Sequence, residues 1–340
     1  FSNGYATPFP SNRVVIYAKP PVDVLELQYM ADWIDLVVIH ELAHVFHLDV
    51  TGGLGRVLRA TLGRVPFGWP IFPAVFTPTW SIEGLAVAVE SALTDHGRLH
   101  GSYHEMVVRT AALAGTLDDI DRLTSVSPAW PGPGRVYIYG SLFMEYLARE
   151  YGADVVSRIV QATGDAFIPP PLCFGRVGER VLAVTFREAY EAWQAELTAR
   201  YTTLAATLEA EGLTQGQPLT THRAYALHPR FSRDGSALAY AANDQRRAAR
   251  VRVIEAATGR ELWTRRQNDL SAVSWLADGS LLTSDLEFTD RFRIHRDLHH
   301  LGPGGSGRLT RGARLQDPDV DRDDRRIVAV ENSAGTNRLV

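Results

Sequence analysis

The sequence predicts an α+β chain in two parts, mainly helical over residues 1–211 and all-β over 212–340. Three observations predict it. Apolar residues recur at helical spacing through most of the first part. That periodicity stops near Gly212, where short alternating segments begin. In the second part, one strand–turn–strand phrase recurs about every 44 residues.

Length and composition fit this plan. The chain has 340 residues, enough for two domains. Apolar residues make up 45% and charged residues 22%, ordinary for a globular protein. A formal charge of -4 and the lack of a basic run exclude an electrostatic nucleic-acid binder. No apolar stretch is long enough for a membrane span. A lone cysteine, Cys173, excludes an internal disulfide. The chain opens at Phe1 rather than Met, in a segment that reads as domain interior, so a missing leader says nothing about export.

The elements follow in order. Arg13-Val-Val-Ile-Tyr-Ala18 reads as a strand ended by Pro20 and Pro21. Residues 32–48 read as a helix apolar nearly all round, hence buried, and ended by Gly52, Gly53 and Gly55. Residues 54–79, including Phe67-Gly-Trp-Pro-Ile-Phe-Pro73, read as a long irregular connection, either a covered part of the core or a cleft wall. A helix is predicted from Ser81, as N-cap, to about Ala92, with Glu83 in its first turn. Further helices are predicted over 102–115, 137–151, 153–163 and 185–211.

In the second part the phrases are His228 to Tyr240, Val273 to Leu282 and Pro318 to Ala329. Each is two strands about an Asp-Gly-like turn, which supplies the positive φ a tight hairpin needs. Val251-Arg-Val-Ile254 and Glu261-Leu-Trp263, parted by Thr258-Gly259, make another hairpin. These are the marks of propeller blades. Three blades do not close a ring, so an incomplete β-propeller is expected.

One motif carries chemistry. His40-Glu-Leu-Ala-His44 is His-Glu-x-x-His inside an apolar helix. Residues four apart share a helical face, so both imidazoles can reach one ion, and Glu41 sits one step round. Two neutral imidazoles and a carboxylate suit Zn2+ with a position left open. The pattern arises by chance in about one such chain in fifty. Buried His and Glu are costly unless they are paired. A third ligand must come from elsewhere, and Glu83 in Trp80-Ser-Ile-Glu-Gly-Leu-Ala86 is the candidate. Glu90, two turns on, can hydrogen-bond a ligand histidine.

These phrases resemble the gluzincin metallopeptidases, the group that includes thermolysin and aminopeptidase N. The resemblance covers roughly residues 1–210 and is most specific at 40–44 and 80–90. It implies a thermolysin-like zinc peptidase domain with His40, His44 and Glu83 as metal ligands. It implies peptide-bond hydrolysis by a metal-bound water, with Glu41 as general base and Glu90 behind the ligands. In the aminopeptidase branch a Tyr three residues before a Gly stabilises the oxyanion. Tyr137-Ile-Tyr-Gly140 is similar, which points to Tyr137, with Tyr139 as the alternative. No Gly-x-Met-Glu-Asn phrase stands upstream, and Asn3-Gly-Tyr-Ala-Thr7 does not replace it. That departure favours endopeptidase action over amino-terminal trimming. The whole layout is similar to bacterial proteins that join such a domain to TolB-like or WD40-like repeats, which implies a periplasmic or secreted protein. A peptide or protein is the implied substrate, and the propeller could hold a protein partner. Two other readings stay open: a binding or assembly module with a structural or inactive zinc site, and a zinc hydrolase of non-peptide substrates.

Other candidates have plainer explanations. His47 reads as packing or support behind the ligands. His96, His100 and His104 are spaced by four, but Gly97 and Gly101 argue for a polar loop. Asp319, Asp321 and Asp323 lack the Gly and Glu of a calcium loop and suit a turn. Cys173 reads as structural.

Overall fold

The computed structural model describes residues 4–17, 27, 32–65, 68–125, 129–166, 168–214, 216–221, 225–244, 246–333 and 336–340. Ala18, Pro20 and Pro21 of the first predicted strand, Asn3, and Phe67 of the predicted connection lie outside them. The chain divides into two compact units, the first of residues 1–17 and 32–213, the second running from Thr214 to Val340. The architecture is α+β, with helices in the first unit and antiparallel sheets dominating the second.

The first unit opens with a hairpin of β1 (Gly4–Thr7) and β2 (Arg13–Ile16), paired from Gly4 opposite Ile16 to Thr7 opposite Arg13. Helix α1 (Trp33–Leu48) follows, capped by Asp32, whose side chain accepts from Asp35 N at 3.0 Å. It is not buried all round, because Leu42 and Phe46 are exposed. The glycines expected to end it do not: α1 stops at Leu48 with Asp49 as its C-cap, and Gly52 instead opens a new helix, α2 (Gly53–Leu62). The expected connection over 54–79 therefore holds a helix and a short 3-10 turn, Pro73–Phe76. Part of it is core, with Ile71, Phe72 and Ala74 buried, while Leu54, Val57 and Leu62 are exposed.

Helix α3 (Thr79–Leu93) starts after Pro78 rather than at Ser81, so Glu83, expected in the first turn, is its fifth residue and lies just past that turn. Helices α4 (Tyr103–Leu113), α5 (Arg135–Tyr151), α6 (Val155–Gly164), α7 (Pro170–Leu182) and α8 (Phe186–Glu211) complete the unit. Thr185 and Glu188 cap α8 reciprocally. Helix α7 has no counterpart in the sequence reading; Pro170 and Pro171 open it, and proline is well placed in a first helical turn.

The core is an aromatic cluster in which Trp80, Phe143, Phe174, Phe186, Tyr190 and Trp193 are buried together. Phe143 meets Trp80 and Tyr190 edge-on, at 5.3 and 5.0 Å between centroids, a favoured geometry. Two glycines bring α3 and α5 into backbone contact. A Cβ at Gly84 would stand 2.3 Å from the Gly140 carbonyl carbon, and one at Gly140 would stand 2.4 Å from the Trp80 oxygen. Gly84 adjoins Glu83, and Gly140 lies one helical turn from Tyr137, so this crossing sets the spacing of both.

The second unit contains three antiparallel meanders, of order β3-β4-β5-β6, β7-β8-β9-β10 and β11-β12-β13. Their strands are Tyr225–Phe231, Ala237–Asn243, Arg250–Glu255 and Glu261–Arg266; then Val273–Trp275, Leu281–Phe288, Ile294–Gly302 and Gly305–Arg308; then Leu315–Val320, Ile327–Ser333 and Thr336–Leu339. No closed ring is formed by the described residues. The recurring turns share one device. Asp234 Oδ1 accepts from Ser236 N at 3.0 Å and Asp278 Oδ1 from Ser280 N at 2.9 Å, with Gly235 and Gly279 at positive φ. In the third turn Asp324 takes the positive φ, and Asp321 accepts from Arg325 N at 2.7 Å. Of the aspartates that suggested a cation loop, Asp321 builds this turn, while Asp319 lies in β11 and accepts from Ser274 Oγ at 2.7 Å.

Candidate metal centre

Helix α1 presents His40 and His44 one turn apart, rings 4.8 Å between centroids, and both are buried. Helix α3 brings Glu83 to them. Its Oε2 lies 3.5 Å from His40 Nε2 and 3.3 Å from His44 Nε2. One ligand atom from each of the three residues lies within 4.8 Å of the others, and among the described residues this is the one such cluster. Both contacts exceed the usual N–H···O length of about 2.9 Å. They match two ligands at roughly 2.0–2.1 Å from a shared tetrahedral ion, which stand about 3.3 Å apart. The donor set, two imidazoles and a carboxylate, fits zinc with a coordination position left over.

The charges favour a cation at this point. Burial opposes ionisation of Glu83, but the His40 and His44 rings outweigh it and hold its carboxyl well below the usual range. Burial would lower the His40 pKa, yet Glu83 and Glu90 together raise it. Two carboxylates thus converge on one imidazole and stabilise positive charge there.

Glu41 occupies the next position on α1 and is buried, and its Oε2 has no hydrogen-bond partner among the described residues. Burial pushes its carboxyl pKa up, against the pull of His40 and His44. An unpaired, buried carboxylate beside two imidazoles is costly for stability and suited to taking up a proton. Strand β1 packs on this group: a Cβ at Gly4 would stand 2.7 Å from Glu41 Oε1.

Glu90, fully buried, supports His40 from behind, with Oε2 2.8 Å from His40 Nδ1. Burial opposes its ionisation, but Arg98 and His40 hold the carboxyl down at about 2. Arg98 has no place in the sequence reading. Its Nε and Nη2 donate to the two Glu90 oxygens at 2.7 and 2.9 Å.

Tyr137 and Tyr139 point to opposite faces of α5, as residues two apart on a helix must. Tyr137 faces the site, its ring 6.4 Å from that of His40 and 5.2 Å from the Arg98 guanidinium. Tyr139 is buried in the core, 6.5 Å from Trp193, and burial pushes its hydroxyl up to about 12.

The remaining sequence candidates do not join the ligand cluster. His47 is buried one turn beyond His44, and burial, with His44 beside it, pushes its pKa down to about 4. His100 bonds the Ser91 and Thr94 carbonyls at the end of α3, and His104 meets Ser141 at 3.2 Å. His96 pairs with Asp95 and Asp35, so the three make no stripe. Cys173 is buried and donates to the Ile168 carbonyl.

No family model matches the chain. It is 29% identical over 170 residues to an uncharacterized protein of Treponema pallidum (strain Nichols). That match covers 47% of this chain and 13% of the relative, so the chain corresponds to a small part of that protein's length. A solved structure from a study of two prolyl endopeptidases and their inter-domain dynamics overlaps 37% of this chain and 20% of its own. Its TM-score is 0.30 at 20% identity, an overlap too slight to bear on the fold of either unit.

Proposed function

We propose that the first unit is a zinc-dependent peptidase of the gluzincin type, with a thermolysin-like arrangement, cleaving internal peptide bonds. The observation that carries this is the convergence of His40, His44 and Glu83 at ligand spacing beside the unpaired Glu41 oxygen. Bound there, zinc supplies Lewis-acid polarisation of the scissile carbonyl and a water of near-neutral pKa. Glu41 takes the proton of the attacking water and passes it to the leaving amine. Tyr137 donates to the oxygen on which negative charge develops. Glu90 holds His40 with its Nδ1 hydrogen inward, which leaves the Nε2 lone pair for the ion.

The three meanders of the second unit read as propeller blades, on the strength of their shared turns, and as a platform for a protein partner. The peptidase reading is tested by incubating the zinc-loaded chain with a peptide library, with and without a chelator. The expected result is cleavage at internal bonds that the chelator stops and added zinc restores. Peptides left intact in the presence of zinc defeat the proposal.

A further inference from the structure

We propose that Arg98 is a positioning residue for this centre, fixing the Glu90 carboxylate that orients His40 and packing over Tyr137. The inference rests on the peptidase reading of the site and concerns a residue that offers no atom to the metal itself and meets His40 only on its Nδ1 side.

The chain builds this contact with care for local space. Helix α3 ends at Leu93, and residues 94–97 turn the chain back along it. Gly97 makes the return possible, since a Cβ there would stand 2.3 Å from Ser91 Cα. Leu99 N donates to Ser91 Oγ at 3.1 Å, and the His100 ring meets the Ser91 carbonyl at 2.8 Å, which straps the turn down. Arg98 is thereby carried back to Glu90, eight residues earlier, and both are buried. Glu90 Oε1 accepts from Arg98 Nε and also from Arg98 N at 3.2 Å. Glu90 Oε2 accepts from Arg98 Nη2.

The chemistry of these atoms sets the orientation of His40. Arg98 Nη2 lies 2.9 Å from both Glu90 Oε2 and His40 Nδ1. A guanidinium can only donate, and an ionised carboxylate can only accept. With the hydrogen on Nδ1, both Nη2 and Nδ1 donate to Oε2, and Nε2 keeps its lone pair towards Glu83. With the hydrogen on Nε2, Nη2 could donate to Nδ1, but the ionised Oε2 would set its lone pairs against that of Nδ1 at 2.8 Å, so the charged acceptor favours the hydrogen on Nδ1. The first arrangement is the one in which His40 can bind a metal. The same guanidinium packs over the Tyr137 ring, so one side chain touches both the support of a ligand and the predicted oxyanion donor.

Stability alone does not account for the pair. A buried ion pair is often no more stabilising than apolar residues of like volume, because both charges lose their hydration. What an apolar pair could not do is hold an acceptor oxygen on His40 Nδ1.

The test measures zinc dissociation constants by chelator competition for wild type, Arg98→Met, Arg98→Lys, Glu90→Gln and the Arg98→Met/Glu90→Gln double variant. Arg98→Lys keeps the charge but loses the two-pronged contact, and circular dichroism checks that it folds. Arg98→Met is expected to weaken zinc binding about 10- to 100-fold, with Arg98→Lys between it and wild type. The double variant is expected to be no weaker than the weaker single, because Arg98 acts through Glu90. Proton NMR of the zinc-loaded chain is expected to show a slowly exchanging His40 Nδ1 hydrogen in wild type and the same hydrogen shifted and faster to exchange in Arg98→Met. Wild-type affinity and an unchanged His40 signal in both Arg98 variants would overturn the proposal, as would additive losses in the double variant. A wild type that takes up no zinc sinks the peptidase reading itself, and this proposal with it.

Discussion

Gly4 of the first strand lies against the carboxylate of Glu41, so closely that a Cβ would stand 2.7 Å from Oε1 and 2.8 Å from Cγ. Glycine is needed there for space rather than for backbone angle. Gly4→Ala displaces the Glu41 carboxylate while leaving His40, His44 and Glu83 in place. The expected outcome is a kcat lowered about 10- to 100-fold, as for small misplacements of a reacting group, with zinc content unchanged. Steady-state kinetics with metal analysis checks it; a wild-type kcat would show that Glu41 has room to spare.

Glu41 itself separates chemistry from stability. Glu41→Gln is expected to retain zinc and lose about 100-fold or more in kcat, the usual scale for a general base. In the metal-free chain the carboxyl titrates above its ordinary value of 4.5, because it is buried. The folded state then holds that proton more tightly than the unfolded state. Stability therefore falls as pH rises from the unfolded pKa to the folded one, and the loss is complete above the folded pKa. Metal-free Glu41→Gln is thus expected to melt above wild type at neutral pH, with the gap closing below about pH 4. Thermal melts across that range read the effect directly.

The crossing of α3 and α5 has no room for a methyl group at Gly140 or Gly84. Gly140→Ala is expected to cost about 3 kcal/mol, the upper end for overpacking, since backbone rather than a side chain must move. It should also weaken zinc binding, because Glu83 rides on α3. A denaturation midpoint equal to wild type would contradict the close approach.

Arg135 is expected to be structural. It is buried, pairs with Asp118 at 3.1 Å and donates to the carbonyls of Ala129, Trp130 and Gly132. Arg135→Met leaves the Asp118 carboxylate without its main partner and those carbonyls short of a donor. A loss of about 3–5 kcal/mol is expected by denaturant titration, with any zinc affinity of the surviving folded fraction unchanged.

What the sequence makes legible follows the range of each interaction. His40, Glu41 and His44 are readable because helical geometry alone places them together. Glu83 is readable only through its resemblance to a known phrase, since 38 residues lie between it and His44. Arg98 was missed because its approach to Glu90 depends on the turn at Gly97, which looks like any loop glycine until Ser91 is seen beneath it. Gly4 was missed for the same reason: its neighbour is Glu41, far along the chain. Helix α2 was hidden by its three opening glycines. Strand β9 (Ile294–Gly302) was hidden by His, Arg and Asp residues that look exposed. Its Asp297 is fully buried, satisfied by Thr310 and by the backbone of Gly312 and Ala313. The Asp-Gly turns were legible because they are local.

The most direct measurement is zinc bound per chain at equilibrium, for wild type and for His40→Ala, His44→Ala and Glu83→Ala. One zinc per wild-type chain is expected, with affinity lowered at least about 100-fold in each variant, since each removes one of three protein ligands. Wild-type affinity in Glu83→Ala would contradict the shared site, because the carboxylate from α3 would then hold no metal with the two imidazoles of α1.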